Sequence, residues 1–177
     1  MKQIILSNLI IIIFINSLFS QVFSDYTYTG YEAVTSAGSV VAKEGGESSP
    51  FHNPSGLADI NTLQINVGYS NLFNLPYLPY SNLSMLLPTN FGNIGLSYQG
   101  ISVEYQNNKL ITEQAIGFSQ GFYAQKDRNS TLSLGYTVNY LSINQGKTIV
   151  GEDLGSAGTV GLDLGIQATF RERHRIG

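Results

Sequence analysis

The sequence predicts an all-β protein: an antiparallel, up-and-down transmembrane β-barrel, present as about its first six strands behind a plug-like N-terminal segment. Three observations predict it. Apolar and polar residues alternate through several segments, the polar side of that alternation is almost free of charge, and long connections alternate with short ones.

The chain begins with an address label. Lys2 supplies a positive start, and Ile4 to Ile15 an apolar run interrupted by Asn8 and followed by Asn16. That run is shorter than the ~18–20 apolar residues of a spanning helix, so residues 1–24 read as a signal peptide. Val22 and Ser24 suit the small-residue positions before cleavage at Asp25. The absence of cysteine then matters, because a small secreted domain with a thin core usually relies on disulfides.

Residues 25–60 are rich in Gly and Ser, show no sustained alternation, and end in the box Asn53-Pro54-Ser55-Gly56-Leu57. Pro at the second position of a turn suits types I and II, and an Asn at the first can bond back onto the backbone. Such a turn aims Leu57 and the strand that follows.

Residues 61–177 carry the alternation. Leu63, Ile65, Val67 and Tyr69 stand against Gln64, Asn66 and Gly68; Ile94, Leu96 and Tyr98 against Gly95, Ser97 and Gln99. Ile116, Phe118 and Phe122 follow, with Gln120 as the exception. Leu132 to Tyr140 and Val160 to Phe170 repeat the pattern, and Ser81 to Pro88 is a noisier sixth strand. Successive strand residues point to opposite faces, so each segment has one apolar and one polar face.

The polar face is Gly, Ser, Thr, Asn and Gln rather than Lys and Glu. Charged residues make up 12% of the chain, half the usual ~25%, which suits a sheet between lipid and a neutral wet lumen. Tyr69, Phe91, Phe122, Tyr123, Tyr140 and Phe170 fall near strand ends, as interfacial aromatic girdles do. The connections "NLFNLPYLPY", "ISVEYQNNK" and "NQGKTIVGEDLGSAG" read as long outer loops, and "PTN", "QKDRNS" and "RERH" as tight periplasmic turns. The cluster Arg171 to Arg175 reads as a solvated turn.

Six strands fall short of the roughly eight from which bacterial single-chain barrels start, and would leave two unpaired edges in hydrocarbon. A seventh is expected to begin at Ile176. The sequence is therefore expected to be the N-terminal part of a longer protein, with assembly from several chains as the alternative.

The stretch around the box resembles the N-terminal signature of outer-membrane barrels related to the long-chain fatty-acid transporters (FadL-like), a superfamily that includes the PorV and PorQ barrels of type IX secretion. The matching positions are Gly38, Val41, Ala42, Glu44, Gly45, Ser48, Ser49, Asn53, Pro54, Gly56, Leu57 and Ala58. Ser55 stands where the signature has Ala, and Lys43-Glu44-Gly45-Gly46 where an acidic pair is commoner. Gly161 to Phe170 also looks like a strand of these barrels. The resemblance implies a barrel of about fourteen strands, within the range such barrels span, with the N-terminal segment folded into the lumen as a plug or hatch positioned by Asn53, Pro54, Ser55, Gly56 and Leu57.

No catalytic, metal or cofactor site is legible. His52 and His174 form no cluster with Cys or carboxylates, no strand–turn–helix frames a nucleophile, and no Gly-rich loop opens a helix. A net charge of −3 without a basic run argues against nucleic acid. Alternation places Gln64, Asn66, Gln99, Asn139, Asp163 and Gln167 in the lumen, Asp163 being the notable charge within a strand. The expected partners are outer-membrane lipid and either hydrophobic small molecules or secreted proteins. The expected role is passive transport of hydrophobic or amphipathic molecules across the outer membrane, with no enzymatic activity. A barrel that handles secreted proteins at the cell surface, and a soluble secreted β-sandwich, are the alternatives.

Overall fold

The computed structural model describes residues 29–43, 45–105, 108–147, 151–171 and 173–177. The expected signal peptide and the first residues after it lie outside them. Seven strands follow one another: β1 (Gln64–Asn71), β2 (Pro79–Leu87), β3 (Asn93–Tyr105), β4 (Asn108–Lys126), β5 (Ser130–Asn144), β6 (Ser156–Phe170) and β7 (His174–Ile176). Each pairs antiparallel with its sequence neighbours, so the sheet runs β1 to β7 in order and curls into a half-barrel. The seventh strand begins two residues before Ile176 and brings the count above the expected six.

The pairing register converts alternation along each strand into rows across the sheet. One outward row is Ile65–Met85–Leu96–Phe118–Val138–Leu162, and the next is Val67–Leu83–Tyr98–Ile116–Tyr140–Val160. These are large apolar side chains facing outward; Val67 is 79% exposed and Leu162 64%. From Leu132 to Tyr140 the apolar stretch of β5 rises roughly 27 Å along the strand.

The opposite face is small and polar. Its rows include Asn66–Ser84–Ser97–Gly117–Asn139–Gly161 and Asn93–Gly121–Gly135–Gly165. This is the buried face: Ser84, Ser97, Ser119, Ser133 and Thr137 are all at most 8% exposed. A sheet that buries serine and exposes leucine is inverted relative to a water-soluble sandwich.

Above the Val67–Val160 row the polarity reverses. The outward row becomes Tyr69–Ser81–Gly100–Gln114–Ser142–Gly158, while Ile101, Val103, Ile111, Leu141 and Ile143 turn inward. This reversal corrects one expectation. "ISVEYQNNK" is not a long loop: β3 runs through Tyr105 and β4 resumes at Asn108. The two-residue period continues there, but the apolar residues change faces, which reads in sequence as a break in alternation. The strict long–short order of connections fails with it, since this connection is the shortest.

Gln120, the exception in the apolar rows, is matched locally. The Tyr136 hydroxyl on β5 donates to its Oε1 (2.8 Å), and its Nε2 donates to the Phe91 carbonyl (3.0 Å). Tyr136→Phe is expected to destabilise by about 0.5–1.5 kcal/mol, the net worth of a part-buried hydrogen bond. Gln120→Leu combined with Tyr136→Phe should lose less than the two single losses added together. Urea unfolding of the four proteins measures the cycle, and strict additivity would mean that the two groups act independently.

Candidate functional site

The site is where the N-terminal segment meets the polar face. The segment contains α1 (Tyr31–Thr35), α2 (Ser49–His52) and a 3-10 turn, η1 (Pro54–Asp59). The box forms the start of η1: the Gly56 amide donates to the Asn53 carbonyl (3.0 Å), while the Asn53 Oδ1 accepts from the Ser55 amide (3.3 Å) and hydroxyl (2.7 Å). Gly56 keeps a negative φ, so close approach explains it better than turn geometry. A methyl group there would lie 2.8 Å from Ser49 Oγ.

Glycines on the sheet make the trough in which η1 lies. A methyl on Gly135 would sit 2.5 Å from the Pro54 carbonyl oxygen, and one on Gly121 2.5 Å from the same oxygen; Gly165 would meet Pro54 Cδ at 2.8 Å. One proline therefore touches β4, β5 and β6 together. Strands lie about 4.8 Å apart, and the inward curl of the sheet brings all three within reach of the one residue. Leu57 completes the seat and, with Ile60 and Leu86, forms the small apolar core.

Carboxamides clamp both ends of η1. At the start, Asn53 Nδ2 donates to the carbonyls of Val41 (2.7 Å) and Ile166 (3.2 Å). At the end, Asn93 Nδ2 donates to the carbonyls of Leu57 (2.7 Å), Ala58 (3.3 Å) and Ile60 (2.7 Å). The Tyr123 hydroxyl donates to Asp59 Oδ1 at 2.5 Å, and Arg175 approaches Asp59 Oδ2 at 3.9 Å. Tyr123 thus faces inward as a tether and is no part of an outer girdle, which corrects that expectation. Upstream, Glu32 accepts from the Ser48 amide (3.2 Å) and hydroxyl (2.8 Å) and pairs with Lys43 at 3.3 Å, folding the segment onto itself.

Asn93→Ala is expected to leave these carbonyls without their buried donor and to destabilise docking of the segment by about 1–3 kcal/mol. Faster hydrogen exchange at the amides of residues 57–60, with the strand amides unchanged, is the measurement. Uniform loosening of the whole chain would contradict a local clamp.

An open-sided cavity of about 570 Å³ lies beside the segment, between α2 and strands β3 to β6. Pro50, Phe51 and Leu141 give it apolar walls; Ser97, Gln99, Asn139 and Asp163 give it polar ones. The Asn139 amide donates to Asp163 Oδ2 at 2.5 Å, so the strand carboxylate is held by its cross-strand neighbour.

The six residues expected on the inner face divide into three groups. Gln99, Asn139 and Asp163 line the cavity. Gln167 is buried under the segment, donating to the Ala42 (3.4 Å) and Lys43 (3.3 Å) carbonyls. Gln64 and Asn66 lie on the edge strand β1, Asn66 donating to Ser84 Oγ at 3.2 Å. Gln99 also accepts from the Tyr80 hydroxyl (3.0 Å) and Thr29 (3.3 Å), fixing the start of the described segment. Sequence reasoning missed Asn93, whose place between a turn and a strand makes it look like a turn residue, and Asp59, whose partners are far away in sequence. Among the described residues no group of three His, Cys, Asp or Glu could hold a metal ion.

No known family profile, characterised protein or solved structure matches the chain.

Proposed function

We propose that the protein is an outer-membrane β-barrel with an N-terminal plug, of the FadL-like kind, acting as a passive route for hydrophobic or amphipathic small molecules. The observation that carries the membrane reading is the double polarity of the sheet. Leucine, valine and tyrosine face outward over a band roughly 27 Å long on β5, about 19–22 Å of height at the 35–45° strand tilt of such barrels, against their ~25 Å apolar belt. Beyond the band the outward residues are Gln114, Ser142 and Asn144 and the inward ones Leu141 and Ile143. Strands that pass from hydrocarbon into water need that change; a strand in one solvent does not.

On this reading residues 25–60 are the plug, and the glycine trough seats the described part of it. The edges of β1 and β7 then require further strands, from the same or another chain, because unpaired backbone groups in hydrocarbon cost several kcal/mol each. The cavity supports the transport part. A tail can lie along Phe51 and Leu141 while a polar end meets Asn139 and Asp163.

Cell fractionation of the native protein tests the membrane part: it should sediment with the outer membrane and resist carbonate extraction. Recovery in the soluble periplasm would refute it. Uptake of a radiolabelled hydrophobic compound by deletion and complemented cells tests the transport part. Equal uptake by both would leave a barrel without that role.

A further inference from the structure

The turns closing β4–β5 and β6–β7 lie side by side, the Arg171 amide donating to the Asn129 carbonyl at 2.6 Å. The contact gathers Lys126, Arg128, Arg171 and Arg173, all exposed, onto one rim of the sheet. They are four of the chain's nine Lys and Arg residues, against Asp127 and Glu172 in the same turns. The ion pairs among the described residues use none of these four cations; Lys126 lies over the Tyr123 ring at 4.2 Å.

The other rim has the opposite balance. Glu104, Glu113, Glu152 and Asp153 outnumber Lys109 and Lys147, and both lysines are taken: Lys109 pairs with Glu104 and Lys147 with Asp153, each at 3.8 Å. Toward the cationic rim the apolar band gains Phe122 in its last rows, Phe170 at the end of β6 and Phe91 in the β2–β3 connection, all exposed. Aliphatic side chains, then phenylalanines, then arginines is the order of acyl chain, interface and phosphate in one bilayer leaflet.

We infer that this rim binds the phosphates of anionic phospholipids, with Arg128, Arg171 and Arg173 as the contacts; Lys126, over the inward Tyr123 ring, adds only to the positive potential of the rim. Guanidinium groups match phosphate oxygens in two-pronged hydrogen bonds, and cations next to an anionic surface gain from its potential. The inference rests on the membrane reading above. It assigns the rim to the phospholipid leaflet because the connections there, 88–92 and 127–129 among them, are short, whereas the other rim carries the long 72–78 and 145–155 connections beside the short β3–β4 one, and long loops mark the outer end of such barrels.

The full-length protein, reconstituted in phosphatidylcholine bilayers, is probed with spin-labelled phosphatidylglycerol and phosphatidylcholine; the motionally restricted signal counts lipid at the protein surface. Phosphatidylglycerol should be favoured by about threefold at low salt and lose that preference near 1 M, where the screening length falls to about 3 Å. Lys126→Gln, Arg128→Gln, Arg171→Gln and Arg173→Gln together should abolish the preference and leave the restricted fraction unchanged. Lys109→Gln with Lys147→Gln should preserve it. A restricted signal without preference, or a preference that survives the fourfold change, overturns the inference while sparing the membrane reading. No restricted signal overturns both. Stronger selection of spin-labelled lipid A than of phosphatidylglycerol would place the rim in the opposite leaflet and also overturn it.

Discussion

Leu164→Lys is expected to destabilise the membrane-inserted protein by about 2–4 kcal/mol, the penalty of a lysine at mid-bilayer depth on a barrel's lipid face. Leu164 stands at the centre of the band, in the row Gln120–Tyr136–Leu164, with 78% of its surface exposed. On the surface of a soluble domain the same change would stay within about 0.5 kcal/mol, since an exposed leucine supports little packing. Ser142→Lys, on the outward face beyond the band, supplies the comparison. It should fall within the smaller range. Reversible urea unfolding from lipid vesicles measures both, and equal small effects at the two sites would remove the band as a lipid-facing feature.

Gly135→Val is expected to unseat the N-terminal segment and leave the strands in place. The new Cβ would meet the Pro54 carbonyl oxygen and the Ser55 amide, each at 2.5 Å, and both are backbone atoms that no rotamer change can move. Overpacking of this kind costs about 1–3 kcal/mol or more. Here the escape is for η1 to lift from the trough, breaking the Asn93 and Asn53 clamps as it goes. Limited proteolysis should then cut within residues 45–60 at a rate raised at least ~10-fold, which corresponds to about 1.4 kcal/mol if cleavage follows opening. Gly161→Ala, where a methyl meets its nearest neighbour, Leu141 Cδ1, at 3.7 Å, should leave the cleavage rate unchanged. Equal rates in Gly135→Val and the parent would show that the trough does not hold the segment.

The sequence revealed the sheet where one solvent regime governs it. From Leu132 to Tyr140 and from Val160 to Phe170 the apolar residues stay on one face, and both stretches lie within observed strands. It concealed the sheet where the regime changes. Between Gly100 and Tyr105 the apolar residues Ile101 and Val103 fall in phase with the polar Ser97 and Gln99, which reads as a loop although pairing to β4 continues. Burial follows face rather than residue type, so Tyr123 counted as a girdle aromatic until its partner Asp59 was visible. The box was legible because its capping is local: Asn53 to Ser55 spans two residues. Its seating was not, since Gly121, Gly135 and Gly165 are ordinary strand glycines until the register aligns them under Pro54. The rim of arginines likewise depends on two turns more than forty residues apart meeting at Asn129 and Arg171.

The chain has no cysteine, so single Cys substitutions carry one spin label each without background. Labels at Val138, Leu162, Asn139, Ser142 and Asn144 in the vesicle-bound protein can be challenged with oxygen, which concentrates in hydrocarbon, and with a nickel chelate, which stays in water. Val138 and Leu162 should relax with oxygen and ignore nickel, whereas Asn139, Ser142 and Asn144 should respond to nickel. If Val138 and Leu162 respond to nickel as strongly as Ser142 does, the outward face is bathed in water, and the proposal of a barrel wall against lipid is wrong.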